Sequence, residues 1–248
     1  MKMLLLLLPL VATVKPAPAL GALLLSTRVP VVVELFTPEG RSSCPAADAA
    51  LRELTQVQSV PGVEVIALGE HVDYRNCLGW KDDFLSSAYT TRRRQYATGF
   101  GSYTPQAVVN GRDEFVGSRT AERAATVAKV AKAPPAALLV TATGSTVQGQ
   151  VRSLPPGMPA TEVLLAITES GLAAQIGRGE NAGLLLHHAA VVRQLLPLGQ
   201  VRAAGTFTVT QPRTLAPGWK RPNLRVVALV QEIAPRRIMG AAAMSNGS

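Results

Sequence analysis

The apolar positions change their spacing several times along the chain, and each change predicts an element. Val31 to Phe36 is a β-branched apolar run of strand length, followed by a polar loop from Thr37 to Ser43. From Pro45 to about Ser59 apolar residues return at helical spacing through Leu51 and Leu54. Pro45 suits a first helical position because its missing N–H costs nothing there, and Pro61-Gly62 ends the helix. Val63 to Leu68 predicts a second buried strand, and His71 to Lys81 a loop rich in aromatic and polar groups. Asp82 to Thr98 reads as a helix with Asp82 and Asp83 in its first turn, where they complement the macrodipole. Gln106 to Val109 and Glu114 to Val116 are short strands around Asn110-Gly111, a strong hairpin signal. Ala121 to Lys132 is an Ala-rich helix. The order β-α-β-α-β-β-α predicts an α/β unit over residues 29–133.

Pro134-Pro135 marks a linker, since neither residue can continue a helix. Beyond it the pattern changes in kind. Ala137 to Thr143, Thr146 to Arg152, Glu162 to Thr168, Thr206 to Thr210 and Leu224 to Gln231 are strand-like runs between Gly/Pro turns. They predict a small, mostly antiparallel β-sandwich-like domain over residues 136–242. Gly183 to Leu196 fits either a helix or a pair of strands.

Charge sharpens this division. The 248 residues carry a formal net charge of +9. Residues 29–133 hold 12 basic and 12 acidic side chains, whereas residues 134–248 hold 10 and 4. Nine of the eleven aromatic residues lie between Phe36 and Phe115. At the N-terminus, Met1-Lys2-Met3 and a Leu-rich run precede Ala17-Pro18-Ala19, the pattern of a secretory signal cleaved after Ala19. Export to the periplasm or outside the cell is therefore expected, with residues 1–19 removed and no integral membrane span in the mature chain, the alternative being that the segment is retained as an anchor. An exported chain lets a disulfide persist between Cys44 and Cys77. Export and nearby acidic residues argue against nucleic acid as the partner of Arg92-Arg93-Arg94, which reads as a solvated helix face. The basic excess beyond Ala133 favours encounters with anionic envelope surfaces.

Chemistry is concentrated at few positions. Cys44 stands where a strand leads into a helix, and unpaired N–H groups at a helix N-terminus, with Arg41 close in sequence, favour a thiolate. The alternative is a small buried apolar residue. His71 and Asp73 point the same way at period two, so a hydrogen-bonded base pair or a loop-holding polar network fits them. His187 and His188, as neighbours, diverge on any regular element, and no metal site or cofactor is expected. Pro105 enters a strand, and the ordinary preference of the Thr104-Pro105 bond is trans.

The motifs together resemble a family of bacterial exported proteins of unknown function with a thioredoxin-like domain. The resemblance is carried by Glu34-Leu35-Phe36-Thr37, Ser42-Ser43-Cys44-Pro45 with Asp48, His71-Val72-Asp73-Tyr74 and Leu78-Gly79-Trp80-Lys81-Asp82. It continues through Tyr103-Thr104-Pro105-Gln106, Val109-Asn110-Gly111, Phe115-Val116-Gly117, Arg178-Gly179-Glu180-Asn181 and His187 to Arg193. It implies a thioredoxin-like fold for the first unit, with Pro105 cis beside the cysteine loop. Members of that family usually present C-S-S-C, but Arg41 stands in the first position here. Loss of the attacking cysteine rules out a dithiol–disulfide cycle confined to the motif. Three readings stay open: a Cys44–Cys77 disulfide, a lone Cys44 thiolate resolved by a protein or small-thiol partner, and a non-enzymatic scaffold or binding module. The expected function is a thiol-related or partner-binding role in the cell envelope through a degenerate redox motif, with any enzymatic activity limited to single-cysteine exchange.

Overall fold

A computed structural model describes residues 28–74, 79–96, 103–143, 146–154, 157–201 and 206–245. The expected leader, residues 1–19, and Cys77 lie outside these residues.

The first segment contains β1 (Val29–Thr37), α1 (Cys44–Val57), β2 (Val63–His71), α2 (Ser87–Gln95), β3 (Gln106–Val109), β4 (Asp113–Val116) and α3 (Thr120–Val130). After it come β5 (Ala137–Thr143), β6 (Thr146–Ser153), β7 (Thr161–Glu169), β8 (Leu172–Gln175), β9 (Leu185–His188), β10 (Val191–Val201), β11 (Phe207–Pro212), β12 (Leu224–Glu232) and β13 (Ile238–Ser245). The ambiguous stretch from Gly183 to Leu196 is thus strand, while β8 and β13 had no clear sequence signal.

This overturns the expected fold class, an α/β thioredoxin-like unit followed by a separate sandwich. The described chain is mostly β, and one eight-stranded mixed sheet runs through both segments in the order β13-β12-β7-β10-β2-β1-β3-β4. The physical reason lies in the later strands. β7 and β12 are buried at nearly every position, on both faces. Such strands belong in the middle of a covered sheet, and a half-solvated alternation is missing from them. They therefore extend the first sheet. Only β11-β6-β5 form a second, three-stranded sheet, with β8-β9 a separate ribbon.

The seam is where β10 lies parallel to β2, pairing Val191 with Gly69, and Gly69 N–H donates to Ala190 O at 2.8 Å. A Cβ at position 69 would come within 2.6 Å of Ala189 O, so the close approach needs glycine. The hairpin prediction holds in detail. Asn110 and Gly111 have φ of 46° and 62°, as a primed turn requires, and Ile238 N–H donates to Asn110 O across the sheet.

Alternation along the strands then sorts the core. Val31, Val33 and Leu35 of β1 join Val63, Val65 and Ala67 of β2 under Leu51 and Leu54 of α1 and Val127 of α3. Val32, Ile66 and Leu68 face the other way, into Tyr89 of α2, Leu164, Ala166, Val227 and Leu229. The three-stranded sheet covers the opposite face of β7 and β12, packing Val140, Val147 and Val151 on Val163, Leu165, Val226 and Ala228. Truncating one of these fully buried aliphatic side chains to alanine removes about 2–5 kcal/mol.

Candidate functional site

The polar ends of β1 and β2 come together on the α1 face. β1 stops after Thr37, and the loop that follows places Glu39 beneath the surface, only 2 % exposed. His71, the last residue of β2, is 1 % exposed and meets Asp82, which is equally buried. His71 Nδ1 donates to Asp82 Oδ2 at 2.6 Å. The other Asp82 oxygen accepts from Phe84 N–H at 2.8 Å, and Glu39 N–H reaches Oδ2 at 3.3 Å. Burial would raise the Asp82 pKa, but the His71 interactions and the two backbone donors hold it below the usual carboxylate range.

Glu39 is held from two sides. Trp80 Nε1 donates to one oxygen at 2.6 Å and His188 Nε2 to the other at 2.9 Å. His188 arrives from β9, and its Nδ1 lies 3.5 Å from Asp48 of α1, an ion-pair contact without hydrogen-bond geometry. Burial opposes protonation of this ring, yet the close Asp48 carboxylate, the hydrogen bond to Glu39 and the charge of both prevail and push its pKa up to about 9. The His71 and His188 rings stand edge to face, centroids 4.8 Å apart, with Phe84 against both. On its outer side His188 lines a cavity of about 540 Å³ that also touches Arg52, Thr168, Ser170, His187 and Arg225.

The motif loop is closed by the C-terminal half. Arg41 Nη1 lies 3.2 Å from Glu180 Oε1, and Glu180 Oε2 accepts from both Ser42 N–H at 2.9 Å and Ser42 Oγ at 2.8 Å. Asn181 Nδ2 donates to the carbonyls of Glu39 and Arg41 at 2.6 and 2.9 Å. Cys44 itself begins α1, one residue ahead of the predicted first position Pro45, and is a free thiol only 1 % exposed. Burial, aided by Asp48, pushes its pKa up to about 12, and Ser43 and Arg41 offset this only in part. The helix terminus favours a thiolate by roughly 0.3–1 kcal/mol at an accessible site, which is too little here against desolvation.

Other candidates move. Asp73 does not pair with His71; it accepts from Thr90 Oγ1 at 2.5 Å, because His71 turns to Asp82. Asp82 is not a first-turn residue, since α2 starts at Ser87 with Ser86 Oγ accepting from Ala88 N–H. Arg92 and Arg93 are buried, not a solvated face. Pro105 follows a cis bond, as the family resemblance implies. His187 is exposed while His188 is buried, the divergence expected of neighbours on a strand. Glu39, Asp82 and His188 escaped notice as a group because 149 positions separate Glu39 from His188. The usable signal was scarcity: the chain has three histidines, and two of them meet here.

The family described as "Protein of unknown function (DUF1223)" matches residues 32–231. The chain belongs to this family. Among solved structures, the crystal structure of protein AGR_C_4864 from Agrobacterium tumefaciens is similar at 26 % identity and a TM-score of 0.70, covering 89 % of this chain and 96 % of that one. A domain of the outer membrane lipoprotein Omp28 from Porphyromonas gingivalis aligns over 46 % of this chain and 90 % of its own at 13 % identity, with a TM-score of 0.26, too low to carry an argument. No curated protein matches. No helix among the described residues is long and apolar enough to cross a membrane.

Proposed function

We propose that this protein is an exported, non-enzymatic binding module in which the degenerate redox motif has become an internal contact. The observation that carries this reading is the state of Cys44, a thiol 1 % exposed with its pKa pushed up to about 12, so that the nucleophilic thiolate is scarce at neutral pH. The position usually held by the attacking cysteine is Arg41, engaged with Glu180. Export rests on the residue pattern of positions 1–19. The cavity beside His188, about 540 Å³ with Arg52, Arg225, Ser170 and His187 in its wall, has the size of small-ligand sites and offers polar groups to a partner. The basic excess beyond Ala133 draws the protein toward anionic surfaces or an acidic partner.

Alkylation of the native protein, followed residue by residue by mass spectrometry between pH 6 and 10, tests this. Cys44 is expected to react far more slowly than in the denatured chain throughout. Rapid modification at pH 7 with an apparent pKa below about 8.5, or catalytic reduction of a disulfide substrate, would overturn it. The same experiment, run with and without reductant, shows whether Cys77 is a free thiol as Cys44 is.

A further inference from the structure

We infer that Glu39, His71 and Asp82 form a binding site for a divalent transition-metal ion of the zinc class, with His188 and Trp80 orienting Glu39. This goes beyond the loss of thiol chemistry and does not depend on it.

Three observations converge. First, one donor atom from each of Glu39, His71 and Asp82 lies within 4.8 Å of the others, and all three residues are buried. A tetrahedral zinc ion with bonds of ~2.0–2.2 Å holds its ligand atoms roughly 3.3 Å apart, so each donor is within a small side-chain adjustment of a ligand position. The ion would take the place of the hydrogen now shared between His71 Nδ1 and Asp82 Oδ2. Second, both carboxylates already possess outer-shell partners. Trp80 Nε1 and His188 Nε2 fix Glu39, and Phe84 N–H fixes Asp82, the arrangement that orients ligands in metal sites. Third, the charge is unbalanced in favour of a cation. The carboxylates of Glu39, Asp48 and Asp82 are buried together around two imidazoles, and carboxylates withdrawn from water require compensation. One imidazole with two carboxylates is a nitrogen–oxygen set that suits zinc, and three protein ligands leave a fourth position open. The cavity lined by His188 brings solvent to the edge of the cluster.

The test uses the full, untagged mature chain, stripped with chelator and titrated with Zn²⁺ by calorimetry, with Co²⁺ absorption as a second readout. One equivalent is expected to bind, and Co²⁺ is expected to give d–d bands that Zn²⁺ abolishes. Affinity should fall at least tenfold in His71→Gln and in Glu39→Gln, and stay unchanged in Glu122→Gln. X-ray absorption of the loaded parent is expected to show nitrogen and oxygen ligands with one imidazole, a measurement that stands even if a variant fails to fold. Absence of stoichiometric binding, unaltered affinity in both folded variants, or a sulfur ligand would overturn the site. None of these outcomes bears on Cys44 alkylation, so the two ideas fail separately.

Discussion

Glu70 and His71 are consecutive residues of β2, equally buried, and each anchors a polar cluster on an opposite face of the sheet. On the α1 face, His71 and the backbone supply donors to Asp82, and the carboxyl is held ionised. On the α2 face, Glu70 sits beside Glu34, and the guanidinium of Arg92 is shared between them. Arg92 Nε lies 2.5 Å from Glu34 and 3.5 Å from Glu70, while Tyr96 Oη also donates to Glu34 at 2.7 Å. Among the described residues neither Glu70 oxygen has a hydrogen-bond partner, and burial together with the Glu34 charge raises its pKa well above the usual range despite Arg92. Both carboxyls are buried. What differs is the supply of donors and the negative charge of Glu34 beside Glu70, and together these decide whether a buried carboxyl keeps its charge.

The contrast can be broken most severely at Arg92. Arg92→Met leaves Glu34 and Glu70 together without their cation and is expected to cost about 3–5 kcal/mol in urea denaturation. Adding Glu34→Gln and Glu70→Gln to that variant should recover most of the loss, because the uncompensated charge then disappears. If Arg92→Met alone proves nearly neutral, the α2-face cluster is not held by charge.

His188 tests the α1 face, in metal-free protein. Its pKa is raised from an ordinary value near 6.5 to about 9, so its protonation stabilises the fold fully below pH ~6.5 and that contribution is lost as pH rises through 9. His188→Gln is therefore expected to lose about 1–3 kcal/mol at pH 6, with the difference from the parent shrinking toward pH 9.5. A difference that grows with pH would mean that the ring is neutral when folded. Glu70→Gln is the mildest change. Because a raised carboxyl pKa makes the folded parent lose stability as pH climbs above ~4.3, this variant should match the parent near pH 4 and equal or exceed it at pH 7. A clear loss at pH 7 would show that Glu70 is ionised, and the difference between the faces would vanish.

Local signals foretold much of the element pattern and little of the site. β1, the start of α1, the Asn110-Gly111 turn and the strands β5, β6, β7 and β12 follow from apolar spacing and from the conformations open to glycine, asparagine and proline. The macrodipole rule is local and puts Asp82 at a helix terminus, whereas its actual partner is His71, eleven residues earlier. Arg92 and Arg93 looked solvent-facing for the same reason, since Glu34 and Gln106 cannot be placed under α2 from composition. No partner for His188 stands near it in sequence; Glu39 reaches it only through the fold.

By itself, then, the chain's order of residues determined where β1, β2 and the start of α1 lie, where the hairpin turned, and the family resemblance. Only the tertiary structure decided that the two segments share one sheet, because that depends on strands apolar on both faces finding cover and on Gly69 admitting the backbone of Ala189. It also decided the chemistry. Whether Cys44, Asp82, Glu70 and His188 carry charge depends on access to water and on donors from distant segments, and both exist only once the chain has closed over them.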